Sequence, residues 1–310
     1  MSHSSKKVIY LALVGNLLIS ITKFIAAAIT GSSAMLSEGI HSMVDTGNQG
    51  LLLYGMKQAA RPADSRFPFG HGKEVYFWSF IVAILIFAVG SGVSLYEGII
   101  HIMHPKPISN PMVNYVVLGL AMVFEGVAWF YALKEFTRVK GKRGYIEAVK
   151  RSKDPTLFVV LFEDSAAMLG LVVAFLGVWM SQYTGILIFD GLASVIIGVI
   201  LGGTALWLAY ETKGLLIGES ADEEIVETIR QLVVESDGVE QVNEVLTMHM
   251  GPNYVLLNIS IDFDDDIPTG TLEVVIASLD AKIKKSFPEV KRVFVEAERP
   301  SGTNDSATNP

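Results

Sequence analysis

The amino-acid sequence predicts an α-helical membrane protein: six transmembrane helices over residues 1–213, a cytoplasmic α+β domain over 214–300, and a disordered tail over 301–310. Three observations predict it. Of 310 residues, 51% are hydrophobic and only 18% charged, with a mean hydropathy of +0.44; that is too apolar for an ordinary soluble domain. Six apolar segments, near 8–30, 34–57, 76–103, 112–134, 155–181 and 187–210, each reach the ~20 residues that a helix needs to cross hydrocarbon. From Lys213 onward the charge changes: 8 Lys and Arg face 19 Asp and Glu, a net of −11, whereas the rest of the chain carries +3. Two environments are implied.

Composition also excludes. There is no Cys, so neither disulfides nor thiolate metal sites exist. A metal would have to be held by His, carboxylate, carbonyl or water, which favours zinc- or manganese-like ions. The acidic tail speaks against a nucleic-acid partner. MSHSSKK runs straight into a long apolar segment with no small-residue cleavage site, so a retained first helix is expected. Basic residues set the orientation. Lys57, Arg61, Arg66 and Lys73 follow the second segment, and eight more, from Lys134 to Lys153, follow the fourth. The alternate loops hold only Lys106. Both termini are therefore expected in the cytoplasm, with a bacterial inner membrane as the setting.

Taken in order, the first segment carries Asn16 and Lys23 on adjacent turns, and a structural role is expected for Lys23, by snorkelling or by pairing with a carboxylate. In the second, Glu38, His41, Asp45 and Asn48 recur at steps of three, four and three, which puts them on one helical face. Each such group costs at least ~2.5–3.5 kcal/mol at membrane depth unless partnered. The stripe is either a polar seam between helices or a cation site, since His and Asp at i and i+4 both suit a divalent metal. Pro62, Pro68, Gly70 and Gly72 make Arg61–Lys73 a shaped turn, with Asp64 and His71 as a candidate shallow second site. The third segment has Gly90 and Gly92 for close helix approach, Glu97 near its outer end, and His101 and His104 just outside, read as solvated.

Glu125 stands halfway along the fourth segment, either paired (Lys23 is a candidate), protonated, or on a proton route. Residues 138–153 form a basic linker with a short helix at Tyr145–Arg151. The fifth segment contains Glu163 and Asp164, about a hundred degrees apart on a helix. With the His-x-x-x-Asp pair they supply the ligands of a tetrahedral centre. The sixth segment is glycine-rich, with Asp190 at its outer end read as structural. Beyond it, a helix at 222–235 with Ser220 as cap, strands at 242–250 and 254–263 joined by Gly-Pro-Asn, a helix at 271–287 and a strand at 291–298 give an α-β-β-α-β order, part of a ferredoxin-like fold.

That order of elements, together with GSSAMLSEGIHSMVDTGNQ, RPADSRFPFGHGK, SGVSLYEGI and EDSAAMLG, resembles the cation diffusion facilitators over about residues 7–299. EDSAAMLG and the basic linker look like the branch containing human solute carrier 30 member 9. The resemblance implies a metal/proton antiporter acting as a homodimer, with a tetrahedral site built from a pair four residues apart on the second helix and a similar pair on the fifth. Those positions are His41, Asp45, Val160 and Asp164; Val160 departs from the usual His. Glu163 is the substitute favoured, with water, Asn48 or Glu38 as others, and losing a nitrogen ligand tilts preference toward harder ions. In the loop, Phe67 stands where a bridging His would be. The tail positions Asn243, Ile259, Glu296 and Glu298 make a binuclear tail site unexpected, leaving the tail as a dimerisation module.

The function expected is proton-coupled efflux of a divalent cation by alternating access, with zinc first, manganese second, and cadmium or cobalt as further cargo. His41, Asp45, Asp164 and Glu163 would hold the ion; no cofactor is expected beyond the transported metal. The rival is a non-transporting scaffold or regulator with a degenerate site. An enzyme is not expected, because an intramembrane metal hydrolase would need an open zinc and no HExxH occurs.

Overall fold

The computed structural model describes residues 3–141 and 144–299, with side chains except at 3–14, Val139, Lys150 and Leu157. The predicted tail at 301–310 lies outside the described residues. The chain divides into two compact units. The first is helical and comprises the residues up to Gln58 and Glu74–Lys213; the second joins Ala59–Lys73 to the chain from Gly214 onward.

In the helical unit, α1 (His3–Thr30) and α2 (Ser33–Ala59) are separated by Gly31, whose φ of +72° suits glycine. Ser32 then starts α2 as an N-cap hydroxyl does: its Oγ accepts from Met35 N at 3.2 Å. α3 (Glu74–Leu85) and α4 (Gly92–Met103) form one rod interrupted by a π-helical turn, Ile86–Ser91. α5 (Pro111–Lys140) opens on a proline at its first turn, as does α7 (Pro155–Thr184), where Asp154 also accepts from Thr156 N at 3.0 Å. α6 is the short linker helix Tyr145–Arg151, and α8 spans Ile188–Ile217.

Four helices among the described residues are long and apolar enough to cross a membrane: Glu74–Met103, Pro111–Arg138, Phe158–Thr184 and Ile188–Ile217. α1 contributes a shorter apolar stretch, Gly15–Thr30. α2 falls short of that hydropathy because its polar stripe lowers the average. Polar residues of α2 that an isolated helix would show to lipid are instead buried: Ser37, Glu38, His41 and Asn48 are at most 1% exposed.

Small side chains bring α4 and α8 together. Ser91 Oγ donates to Gly198 O at 2.8 Å and Ser194 Oγ to Ser94 O at 2.9 Å. A Cβ on Gly98 would sit 2.7 Å from Val195 N and 2.8 Å from Gly191 O, so the backbones meet there directly. Of the two glycines singled out in the third segment, Gly90 faces Leu201, whereas Gly92 is exposed and borders only its own helix at Phe87. The closest approach comes at Gly98, about two turns further along. His101 also departs from expectation: α4 runs on to Met103, so this residue lies inside the helix, 8% exposed, with Nε2 3.6 Å from Asp190 Oδ2.

The second unit contains α9 (Glu223–Val234), β1 (Val239–Gly251), β2 (Tyr254–Phe263), α10 (Thr269–Ser286) and β3 (Val290–Ala297). The N-cap of α9 is Asp222, not Ser220. The sheet order is β1-β2-β3, antiparallel between β1 and β2 and parallel between β2 and β3. A parallel neighbour cannot be reached by a tight turn, and α10 makes the crossover. Val255, Leu257, Ile259 and Ile261 alternate along β2 and are fully buried against Ile229, Val233, Leu279 and Ile283. Gly72 packs on Gly251 within this unit, where a Cβ would run into the carbonyl of Met250.

Candidate metal centre

The polar interior of the helical unit contains two neighbouring clusters. The first is built on Lys23 of α1, which is completely buried. Its ammonium donates to Ser42 Oγ at 2.7 Å, Glu125 Oε1 at 2.8 Å and Glu38 Oε2 at 3.1 Å. Three partners use all three protons of an ammonium. Four groups from α1, α2 and α5 thus satisfy one another, which makes their burial affordable. The pairing of Lys23 with Glu125, one of the alternatives open in the sequence, is the one observed. Glu38 is drawn into this cluster rather than toward the metal ligands, and its carboxyl rests against α7 where Gly170 leaves no room for a Cβ.

The second cluster holds the expected ligands. His41 is 1% exposed and lies with Nδ1 3.3 Å from Asp45 Oδ1, but the contact is poorly aligned, and neither ring nitrogen has a hydrogen-bond partner among the described residues. Asp45 also touches Glu163 across the α2–α7 interface. Two neighbouring carboxylates repel, and a proton or a cation between them relieves that repulsion. Glu163, 4% exposed, accepts at Oε1 from Asn48 Nδ2 at 2.6 Å. Asp164, Asp45, Glu125 and Val160 border one cavity of about 180 Å³, whose rim includes Asn16 and Gln49. Adjacent residues on a helix cannot both point one way; here Asp164 faces the cavity while Glu163 turns toward Asn48.

The structure therefore places His41 beside Asp45, Asp45 near Glu163, and Asp45 and Asp164 on one cavity. Among the described residues no three His, Asp or Glu side chains converge closely enough to hold an ion. Val160 lines the cavity where a nitrogen ligand would project. Of the alternatives to that nitrogen, Glu38 is engaged by Lys23 and Asn48 by Glu163. Ser42, which completes the Lys23 cluster and lines the cavity, was missed; only its place one residue after His41 could have flagged it.

Asp190 of α8 is buried and accepts from Ser32 Oγ and Ser33 N, both at 2.6 Å. It places a carboxylate at the N-terminus of α2, where unsatisfied N–H groups and the helix dipole favour negative charge. The structural reading of this residue stands, and it anchors the helix that carries His41 and Asp45.

In the second unit, His71 Nε2 meets Asp64 Oδ2 at 3.0 Å, and Asp64 Oδ1 accepts from Phe67 N at 2.8 Å and Arg66 N at 2.9 Å. These bonds, that of Phe67 foremost, hold the Asp64 carboxyl below its ordinary range. Phe67 lies 4.6 Å from the His71 ring. The pair is closed by its own loop, as a structural turn would be. In the sheet, Asn243 Nδ2 donates to Ser260 Oγ and Glu298 O, and Ile259 is in the core.

Comparison with known proteins adds the family. Residues 9–217 match the model of the cation efflux transmembrane domain. The proton-coupled zinc antiporter SLC30A9 of Xenopus laevis is 35% identical over 265 residues, 85% of this chain and 47% of that protein; its human counterpart is 33% identical over the same shares. The chain thus spans about half the length of these curated relatives. The manganese efflux system protein MneP of Bacillus subtilis is 23% identical over 94% of this chain and 95% of its own. With a matched region that takes in α2, α7 and every residue of both clusters, the chain belongs to the cation efflux family, the cation diffusion facilitators.

Proposed function

We propose that this protein is a proton-coupled divalent-cation efflux antiporter that works by alternating access, with zinc as the first cargo, manganese as the second, and cadmium and cobalt as further candidates. The observation that carries the reading is the grouping of buried His41, with two unpartnered imidazole nitrogens, and buried Glu163 with half-buried Asp45 and Asp164, the last two lining a cavity of about 180 Å³. A desolvated imidazole and carboxyls without a counter-ion are poor structural choices and good cation ligands. The names of the zinc- and manganese-moving relatives support both ions as cargo.

Coupling follows from the same atoms. Asp45 and Glu163 are neighbouring carboxyls, and a proton relieves the repulsion between their charges when no cation is present. An arriving ion requires both as carboxylates and His41 as neutral imidazole, so binding expels protons. Release to the other face restores them. No separate proton wire is required.

The rest of the reading concerns architecture. α1, α2, the α3–α4 rod, α5, α7 and α8 serve as six spans, with both termini cytoplasmic in a bacterial inner membrane, and the acidic second unit pairs two copies into a homodimer. The positions of the basic loops support the orientation. No catalytic chemistry is assigned.

The test is cation-driven proton flux in proteoliposomes, comparing zinc, manganese, cadmium and cobalt, with Asp45→Ala and Glu163→Ala alongside. Flux abolished in Asp45→Ala and reduced in Glu163→Ala is expected. The rival, a scaffold or regulator that moves no ion, draws on Val160 and on the unconverged ligands. Folded, inserted protein that moves none of the four ions would favour it.

A further inference from the structure

Glu125 differs from Glu38, the other carboxyl of the Lys23 cluster, in two ways. Its side chain is 16% exposed, whereas those of Lys23 and Glu38 are wholly buried. It borders the cavity shared with Asp45, Asp164 and Val160, and Glu38 does not. Its Oε2 has no hydrogen-bond partner among the described residues, as is also true of Glu38 Oε1, and the other oxygen of each is held by the ammonium. A strut would face away from the cavity, as Glu38 does. The cluster also has two carboxyls for one ammonium, so Lys23 retains Glu38 as counter-ion if Glu125 lets go.

The neighbouring groups point to a ligand independently. His41, 1% exposed and without a partner at either nitrogen, lies against Asp45, whose Oδ1 is likewise buried and unpaired in hydrogen-bond terms. The position on α7 that would complete the set with a nitrogen is Val160, which offers only hydrocarbon.

We infer that Glu125 is a cargo ligand, delivered from α5 to the cavity where Val160 provides none, and that the Lys23 ammonium is the built-in cation that holds Glu125 when cargo is absent. The inference rests on the transport reading and extends it from two helices to three. When a divalent ion enters, Glu125 exchanges ammonium for metal, and Lys23 stays on Glu38 and Ser42. A carboxylate in place of an imidazole shifts preference toward harder ions. Manganese should lose more than zinc when this oxygen is removed.

The experiment measures zinc and manganese binding to the purified full chain in nanodiscs, by calorimetry and by the cation-dependent rise in melting temperature. Glu125→Gln keeps the acceptor for Lys23 and removes the charge; it should weaken manganese binding at least ~10-fold and zinc binding less, while the metal-free melting temperature changes little. Lys23→Met should tighten binding severalfold, and the gain should vanish in Lys23→Met/Glu125→Gln. Should Lys23→Met misfold, Lys23→Met/Glu38→Gln removes one cation and one anion together and is expected to show the same gain. Unchanged affinity in Glu125→Gln, with binding still lost in Asp45→Ala, overturns the ligand role and leaves the transport reading standing. Weaker binding in the lysine variants overturns the competition. Wild-type protein that binds neither ion removes the transport reading itself.

Discussion

Replacing Asp190 should destabilise the helical unit by an amount that depends on how many acceptors survive. The carboxylate holds Ser32 Oγ and Ser33 N at 2.6 Å each, in a wholly buried position. A hydrogen bond to a charged group contributes about 1.5–3 kcal/mol, and removing one side of a buried charged contact costs about 3–5 kcal/mol. Asp190→Ala strands both donors and falls in that second range. Asp190→Asn keeps one acceptor oxygen but turns an N–H₂ toward the other donor and loses the interaction with the α2 dipole, for about half the effect. The assay is unfolding in detergent micelles followed by tryptophan fluorescence. All four tryptophans, at 78, 129, 179 and 207, belong to the helical unit, so the signal does not report on the sheet domain. Asp190→Ala as stable as wild type, within about 0.5 kcal/mol, would refute the argument that this carboxylate pins the start of α2.

Three further outcomes follow from contacts elsewhere. Gly98→Ala puts a methyl about 0.7 Å inside ordinary contact with Val195 N and should cost about 1–3 kcal/mol, whereas Gly92→Ala, with only Phe87 O at 3.8 Å, should be neutral or stabilising by up to about 1 kcal/mol; paired melting curves decide, and equal effects would contradict the packing. Asn48→Leu removes the donor to Glu163 and should lower stability by about 1.5–3 kcal/mol while reducing cation-driven flux; unaltered flux would argue that Glu163 needs no orientation. The Asp64 turn is linked to pH through a depressed carboxyl, so its stabilisation is complete above the ordinary value of 3.8 and is lost as pH falls through the lower, folded-state value. Amide shifts of Arg66 and Phe67 in an NMR titration should stay flat down to that region, and a transition well above 3.8 would show that the carboxyl is not held as described.

Much of this organisation could be read from the chain. A step of three, four and three on α2 reports which residues share a face, and that is enough to bring His41 beside Asp45 and Asn48 toward α7. The strand–helix order of the tail is equally local, carried by period-two burial in β2 and the Gly-Pro-Asn turn. What stayed hidden depends on partners distant in sequence. Asp190 caps a helix 157 residues earlier, and no periodicity within α8 announces that. Glu38 and Asn48 look equivalent on the stripe, but one answers to Lys23 and the other to Glu163, a choice made by which helix each faces. His101 read as solvated from its place at the end of the third segment; the helix nevertheless continues to Met103, and Asp190 supplies the polar neighbour that lets it be buried.

The π-helical turn at Ile86–Ser91 sets a rotational phase. An i→i+5 turn accommodates a residue that a regular helix would have spread around its axis. Everything outward of it is therefore rotated with respect to the inward half, and that rotation aims Ser94, Gly98 and His101 at α8. The orientation of the outer half is thus written in the number of residues along the rod, with no loop to absorb an error. Closing this turn to regular helical geometry with no residue removed would swing the outer half by about a hundred degrees. The glycine that meets Val195 would then point elsewhere, and a bulkier side chain would arrive at a contact built for none.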